Sequence, residues 1–166
     1  MDRLQRFRDA QAQVDVGWDA AMAQLRAGRK RGHWIWYVFP QLAGLGQSAM
    51  SQHFGIEGEE EAAAYLADDP LRTRLEEAVA VVAGHVGAPD PARLETLMGS
   101  RVDATKLVSS LTLFETVGRV RLHEGDTRAA RFVEQAGVVL AAASAQGYPP
   151  CAYTREALAG RAGRHR

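Results

Sequence analysis

Residues 28–46, GRKRGHWIWYVFPQLAGLG, set three cations, a histidine and four aromatic rings side by side. Arginine or lysine supplies charge for a phosphate or carboxylate, and an indole supplies a face on which a flat ring stacks. Lys30 and Arg31 are therefore candidate anion-binding groups, Trp34 and Trp36 candidate stacking surfaces, and His33 a candidate acid or base. Beyond Pro40 and Gln41 comes Gly44-Leu45-Gly46, and Ser48 is placed to cap a short helix through His53. A glycine loop that runs into a helix N-terminus resembles an anion cradle, which adds Gln41, Gly44, Gly46 and Ser48 to the candidate ligand contacts. The pattern is weaker than a phosphate loop, since no G-x-x-x-x-G-K-[ST] occurs in the chain.

A second segment, GSRVDATKLVSSLTLF at 99–114, reads as a helix opening at Asp103. Asp103 lies three residues before Lys106, within pairing distance on one helix face. With His33, these two are the candidate catalytic groups. Ser109, Ser110 and Thr112 follow within two turns and are candidate ligand contacts. The chain has only two lysines against 18 arginines, and Lys30 and Lys106 fall one in each segment. A compact ammonium retained where arginine is the norm marks a place where the two side chains are not interchangeable.

Every one of these residues also has a purely structural account. Cations after a helix suit the negative end of its dipole. Alternate members of the aromatic run would fill a core, and serine or threonine inside a helix bonds back to the i−4 carbonyl. Two functional readings therefore stand. The first is a small-molecule site that takes an anionic or aromatic metabolite, nucleotide-like or phosphorylated, with hydrolysis or N-glycosidic cleavage as the reaction to assay. The second is a non-catalytic interaction or structural module in which the same motifs stabilise the fold.

Composition narrows the field. At 166 residues the chain fits one domain, and 46% hydrophobic with 24% charged residues are globular values. Twenty basic residues balance twenty acidic ones, which argues against nucleic acid or an anionic membrane held by bulk charge. The opening MDRLQRFRD is charged throughout, and no apolar run approaches the roughly 20 residues of a membrane span. A cytoplasmic location is expected. Cys151 is the only cysteine, and the five histidines show no ligand spacing, so neither a metal nor a cofactor is expected. Cys151 has no basic neighbour in sequence to activate its thiol.

The elements that must position these residues read as helices almost throughout. Asp2 can cap a first short helix. Val14, Trp18, Met22 and Leu25 follow at helical spacing, with Gly28 where a terminating glycine belongs. A helix over 59–66 ends at Asp68-Asp69. Pro70 then starts a stripe of Leu71, Leu75, Val79 and Val82, and Asp90-Pro91 repeats that start for a helix through Met98. Asp126 opens a further helix through Leu140, and a last short one lies around Thr154 to Leu158. Trp34–Phe39 alone looks strand-like. The expectation is an all-α domain over 1–160, of about seven helices with one short extended aromatic segment, followed by a frayed basic tail over 161–166.

With those residues in view, the chain resembles the DUF1810 family of small bacterial proteins. The first segment, AAAYLADDPLRTRL at 62–75 and the 99–114 segment match it in order, over Leu4 to about Leu122. The resemblance implies a mainly helical fold and carries no established activity. Two departures stand out. Gly32 occupies a position where the family usually shows serine, and after Gly125 the chain leaves the pattern, with GYPPCAYTREALAG in place of an acidic ending.

Overall fold

The computed structural model describes residues 2–162, and the elements among them are helical apart from one isolated parallel bridge between Leu42 and Ile56. The order is α1 (Gln5–Gln11), α2 (Trp18–Arg26), α3 (Ile35–Val38), α4 (Ala49–Phe54), α5 (Glu59–Ala67), α6 (Asp69–Val86), α7 (Leu94–Met98), α8 (Arg101–His123), a 3-10 turn (Thr127–Ala129), α9 (Ala130–Ala145) and α10 (Ala152–Ala162). Ten α-helices thus replace the expected seven or so. The helix without a counterpart in the sequence reading is α3, which at four residues is too short to display a full apolar period.

Local chemistry fixes most boundaries. Asp68 caps α6 by accepting from Leu71 N–H at 3.1 Å, with Pro70 in the first turn. The stripe Leu71, Leu75, Val79 and Val82 is buried as its spacing requires. Other starts differ from expectation. α8 opens at Arg101, because the Ser100 hydroxyl takes the Asp103 N–H at 3.0 Å and Asp103 lies inside the first turn. α7 opens after Arg93 rather than at Asp90-Pro91, and Val14 is exposed in the loop before α2.

The aromatic segment is helical rather than extended. Val38 and Phe39 N–H donate to the Trp34 and Ile35 carbonyls at 3.1 and 3.0 Å, which closes a single turn. Tertiary packing overrides the strand propensity of these residue types, because Trp34, Ile35, Tyr37, Val38 and Phe39 are all buried at once.

α8 is the centre. α3, α5, α7, α9 and α10 pack on it, and Leu107 to Phe114 are buried on every side. Phe7, Tyr65, Phe114 and Phe132 form a chain of ring contacts through the core, with centroids 5.3, 4.9 and 6.5 Å apart. Among the described residues no helix is long and apolar enough to cross a membrane. Of the tail expected over 161–166, residues 161–162 belong to α10 and the remainder lies outside the described residues.

Candidate functional site

Where the chain leaves α2, Lys30 crosses the corner between α7 and α8. Its N–H donates to the Leu97 carbonyl at 2.7 Å. Gly99 ends α7 with φ +81, and a Cβ there would lie 2.7 Å from the Lys30 carbonyl oxygen, so this crossing needs glycine twice over. The approach carries the Lys30 ammonium to 2.7 Å from Asp103 Oδ2. The ammonium also donates to the Gly32 carbonyl and stands over the Trp34 ring, 5.0 Å from its centroid. Its side chain is only 4% exposed, which leaves no surface for a ligand.

Gln24 on α2 completes this corner. Its Oε1 accepts from Arg31 N–H, Gly32 N–H and Trp34 Nε1 at 2.8, 2.9 and 2.9 Å. One amide oxygen therefore sets both the loop and the buried indole. Nothing in the sequence singles out Gln24, since its partners lie seven to ten residues away in an irregular loop. At Gly32 a Cβ would fall 2.9 Å from the Trp34 ring, so the absence of a side chain makes room for the indole.

Asp103 is shared. Its second oxygen lies 3.8 Å from Lys106 Nζ, and that ammonium sits over Trp36, 4.6 Å from the ring centroid. Lys30 and Lys106 thus flank one carboxylate, each against its own tryptophan. The pairs differ in setting: Trp34 is buried, whereas Trp36 is half-buried and its Nε1 has no hydrogen-bond partner. Lys106 opens onto a cavity of about 330 Å³ between the 41–45 loop and α8, lined by Gln41, Leu45, Arg101, Val102, Lys106 and Ser109. Because Lys30 already balances Asp103, the charges of Arg101 and Lys106 are left for this cavity. A larger cleft of about 600 Å³ lies between α1 and α4, but its cations Arg3 and Arg6 are held by Glu57 and Glu61 at 2.5 and 2.7 Å.

The remaining candidates separate into two groups. Gln41 and Ser109 line the cavity with Lys106. His33 and Arg31 are exposed on the loop; neither lines the cavity. Gly44 has φ +97, and a Cβ there would collide with the Tyr153 hydroxyl of α10; Gly46 abuts the Ser51 side chain. Ser48 spends its hydroxyl on the Ser51 N–H at 3.1 Å, so the glycine loop is occupied by its own helix contacts. Thr112 donates to the Val108 carbonyl at 2.7 Å, Ser109 to the Thr105 carbonyl at 3.0 Å, and the fully buried Ser110 hydroxyl has no partner. Among the described residues no group of three histidine, cysteine, aspartate or glutamate side chains is placed to hold a metal.

Comparison with known proteins agrees with this architecture. The profile of DUF1810, described as a protein of unknown function, matches residues 1–132. The crystal structure of the conserved hypothetical protein Rv1873 from Mycobacterium tuberculosis is similar, at 36% identity and a TM-score of 0.69, with 94% of this chain and 96% of that chain covered. No curated protein matches the chain.

Proposed function

The chain belongs to the DUF1810 family, and we propose that it binds a small, flat, anionic metabolite in the cavity beside Lys106. The observation that carries this reading is the division of charge around Asp103. Lys30 neutralises the carboxylate from the buried side, so Lys106 and Arg101 face the cavity with a net positive charge. A nucleotide-like or phosphorylated ligand supplies the matching anion, which both cations can bond with charge assistance. Leu45 and Val102 offer apolar walls for the flat portion, and Gln41 and Ser109 offer polar contacts that would orient it. The associated reaction to assay is hydrolysis or N-glycosidic cleavage. The setting we attach to this reading is the cytoplasm.

The structural alternative is favoured for half of the motif. Lys30 and Trp34 are buried against each other and Gln24 bonds the indole, which supports their role as a latch between α2 and α8. Lys106 and Arg101 are the residues we assign to the ligand.

A thermal-shift screen against nucleotides, ADP-ribose, sugar phosphates and aromatic carboxylates tests the proposal, with Arg101→Ala alongside. A ligand present at 100 times its dissociation constant adds about 2.7 kcal/mol, a shift of roughly 5–10 °C for a chain of this size. A hit that weakens tenfold or more in Arg101→Ala supports the cavity. A hit indifferent to Arg101, or none across all four classes, overturns it.

A further inference from the structure

The cavity beside Lys106 does not end at Ser109. Arg101, Thr105 and Ser109 also wall a second cavity, of about 310 Å³, whose far side is formed by Tyr148, Pro150 and Cys151. Cys151 stands immediately before the eleven-residue α10. Its N–H donates to Thr112 Oγ1 at 3.0 Å, and its carbonyl accepts from Arg155 N–H at 3.1 Å, so it holds the capping position. A side chain there faces the unpaired N–H groups of the first turn, in the positive field of the helix end.

A second, independent feature points to an anionic sulfur. The Thr154 side chain is fully buried, and its hydroxyl has no partner of hydrogen-bond geometry. It lies against the Cys151 thiol, as does the Ser109 hydroxyl. A neutral thiol is a poor acceptor; a thiolate would give the Thr154 hydroxyl the acceptor it lacks. Burial pushes the thiol up, but the Thr154 hydroxyl and the N–H groups of Thr154 and Tyr153 outweigh it, and the net displacement is downward.

From the cavity, the capping position and the unpaired Thr154 hydroxyl, we infer that Cys151 is a site of reversible thiolation by small anionic disulfides. The thiolate attacks one sulfur of the disulfide, a new S–S bond forms as the old one breaks, and the departing thiolate takes the electron pair and a solvent proton. Arg101 across the cavity attracts the anionic reagent. On the premise that the Lys106 cavity binds a metabolite, the mixed disulfide would fill the adjoining space and obstruct binding, making the thiol a redox control on that site.

The probe is 5,5′-dithiobis(2-nitrobenzoate), a flat anionic disulfide whose released thiolate is read by colour; Cys151 is the only cysteine, so the signal belongs to one site. At pH 7 the folded chain is expected to react roughly threefold or more faster than the urea-unfolded chain, because a larger thiolate fraction outweighs reduced nucleophilicity. Arg101→Ala should slow the anionic reagent but not a neutral disulfide, and Thr154→Val should slow both. A folded chain that reacts no faster than the unfolded one, or a rate untouched by both substitutions, overturns the inference. The two proposals fail separately. Cys151→Ser, tested for metabolite binding, reports on the Lys106 cavity alone, and the colour reaction reports on the thiol alone.

Discussion

The Lys30 ammonium lies 2.7 Å from Asp103 Oδ2, in a side chain only 4% exposed, and this pair ties the loop after α2 to the first turn of α8. Removing one partner of such a pair leaves the other charge stranded in a poorly hydrated place. Lys30→Ala should therefore lower the urea midpoint by an amount equal to about 3 kcal/mol. A loss below about 1 kcal/mol, the range of exposed pairs, would mean that water reaches Asp103 freely.

Gln24 supports the same corner through an acceptor rather than a charge. Gln24→Met keeps the side-chain length but strands three donors, one of them the indole of a buried tryptophan. The expected cost is about 2–3 kcal/mol. Gln24→Glu retains an acceptor oxygen and should be much milder. Equal losses in the two variants would show that the amide nitrogen, not the oxygen, holds the loop.

Gly44 is constrained by φ +97 and by the Tyr153 hydroxyl, which also donates to the Ala43 carbonyl at 3.2 Å. Gly44→Ala should cost about 1–3 kcal/mol through backbone strain and the clash together. Placed in a Tyr153→Ala background, the same change should cost less, since only the strain remains. Strict additivity of the two substitutions in denaturation would contradict direct contact between loop and α10.

Tyr65 is buried, and burial pushes its hydroxyl well above the usual tyrosine range, with the Gln11 hydrogen bond pulling partly back. The folded chain therefore holds this proton after the unfolded chain has released its own. Stability should be unaffected by this group below about pH 10 and should fall as pH rises beyond it. Denaturation midpoints recorded between pH 8 and 11 should show a smaller alkaline loss in Tyr65→Phe. An identical slope in the variant would place the loss elsewhere.

Legibility from sequence followed the physics of each segment. α6 was readable because three local signals coincide: an aspartate cap, a first-turn proline and an apolar stripe of helical period. α3 was not, because four β-branched and aromatic residues carry strand propensity and become a helical turn only under packing from all sides. The two lysines stand out in the sequence by their rarity against 18 arginines. Their unequal burial was invisible, since it depends on how the loop after α2 crosses the corner between α7 and α8. Ser109 and Thr112 satisfied the back-bonding expected of hydroxyls inside a helix. Cys151 gave no signal because the groups that lower its thiol are the Thr154 hydroxyl and the N–H groups of Tyr153 and Thr154 at a helix end, none of them a basic neighbour.

The most direct measurement compares Lys30→Ala with Lys106→Ala, reading for each both the melting temperature alone and the further rise given by a ligand from the screen. Lys30→Ala should melt early and keep a reduced ligand-induced rise, because Asp103 is then left to Lys106 alone, while Lys106→Ala should melt within about 0.5 kcal/mol of the parent, as surface changes do, and lose that rise altogether. A Lys106→Ala chain that keeps the full rise, or a Lys30→Ala chain of normal stability that loses it, would contradict the division of a buried latch from an open anion site.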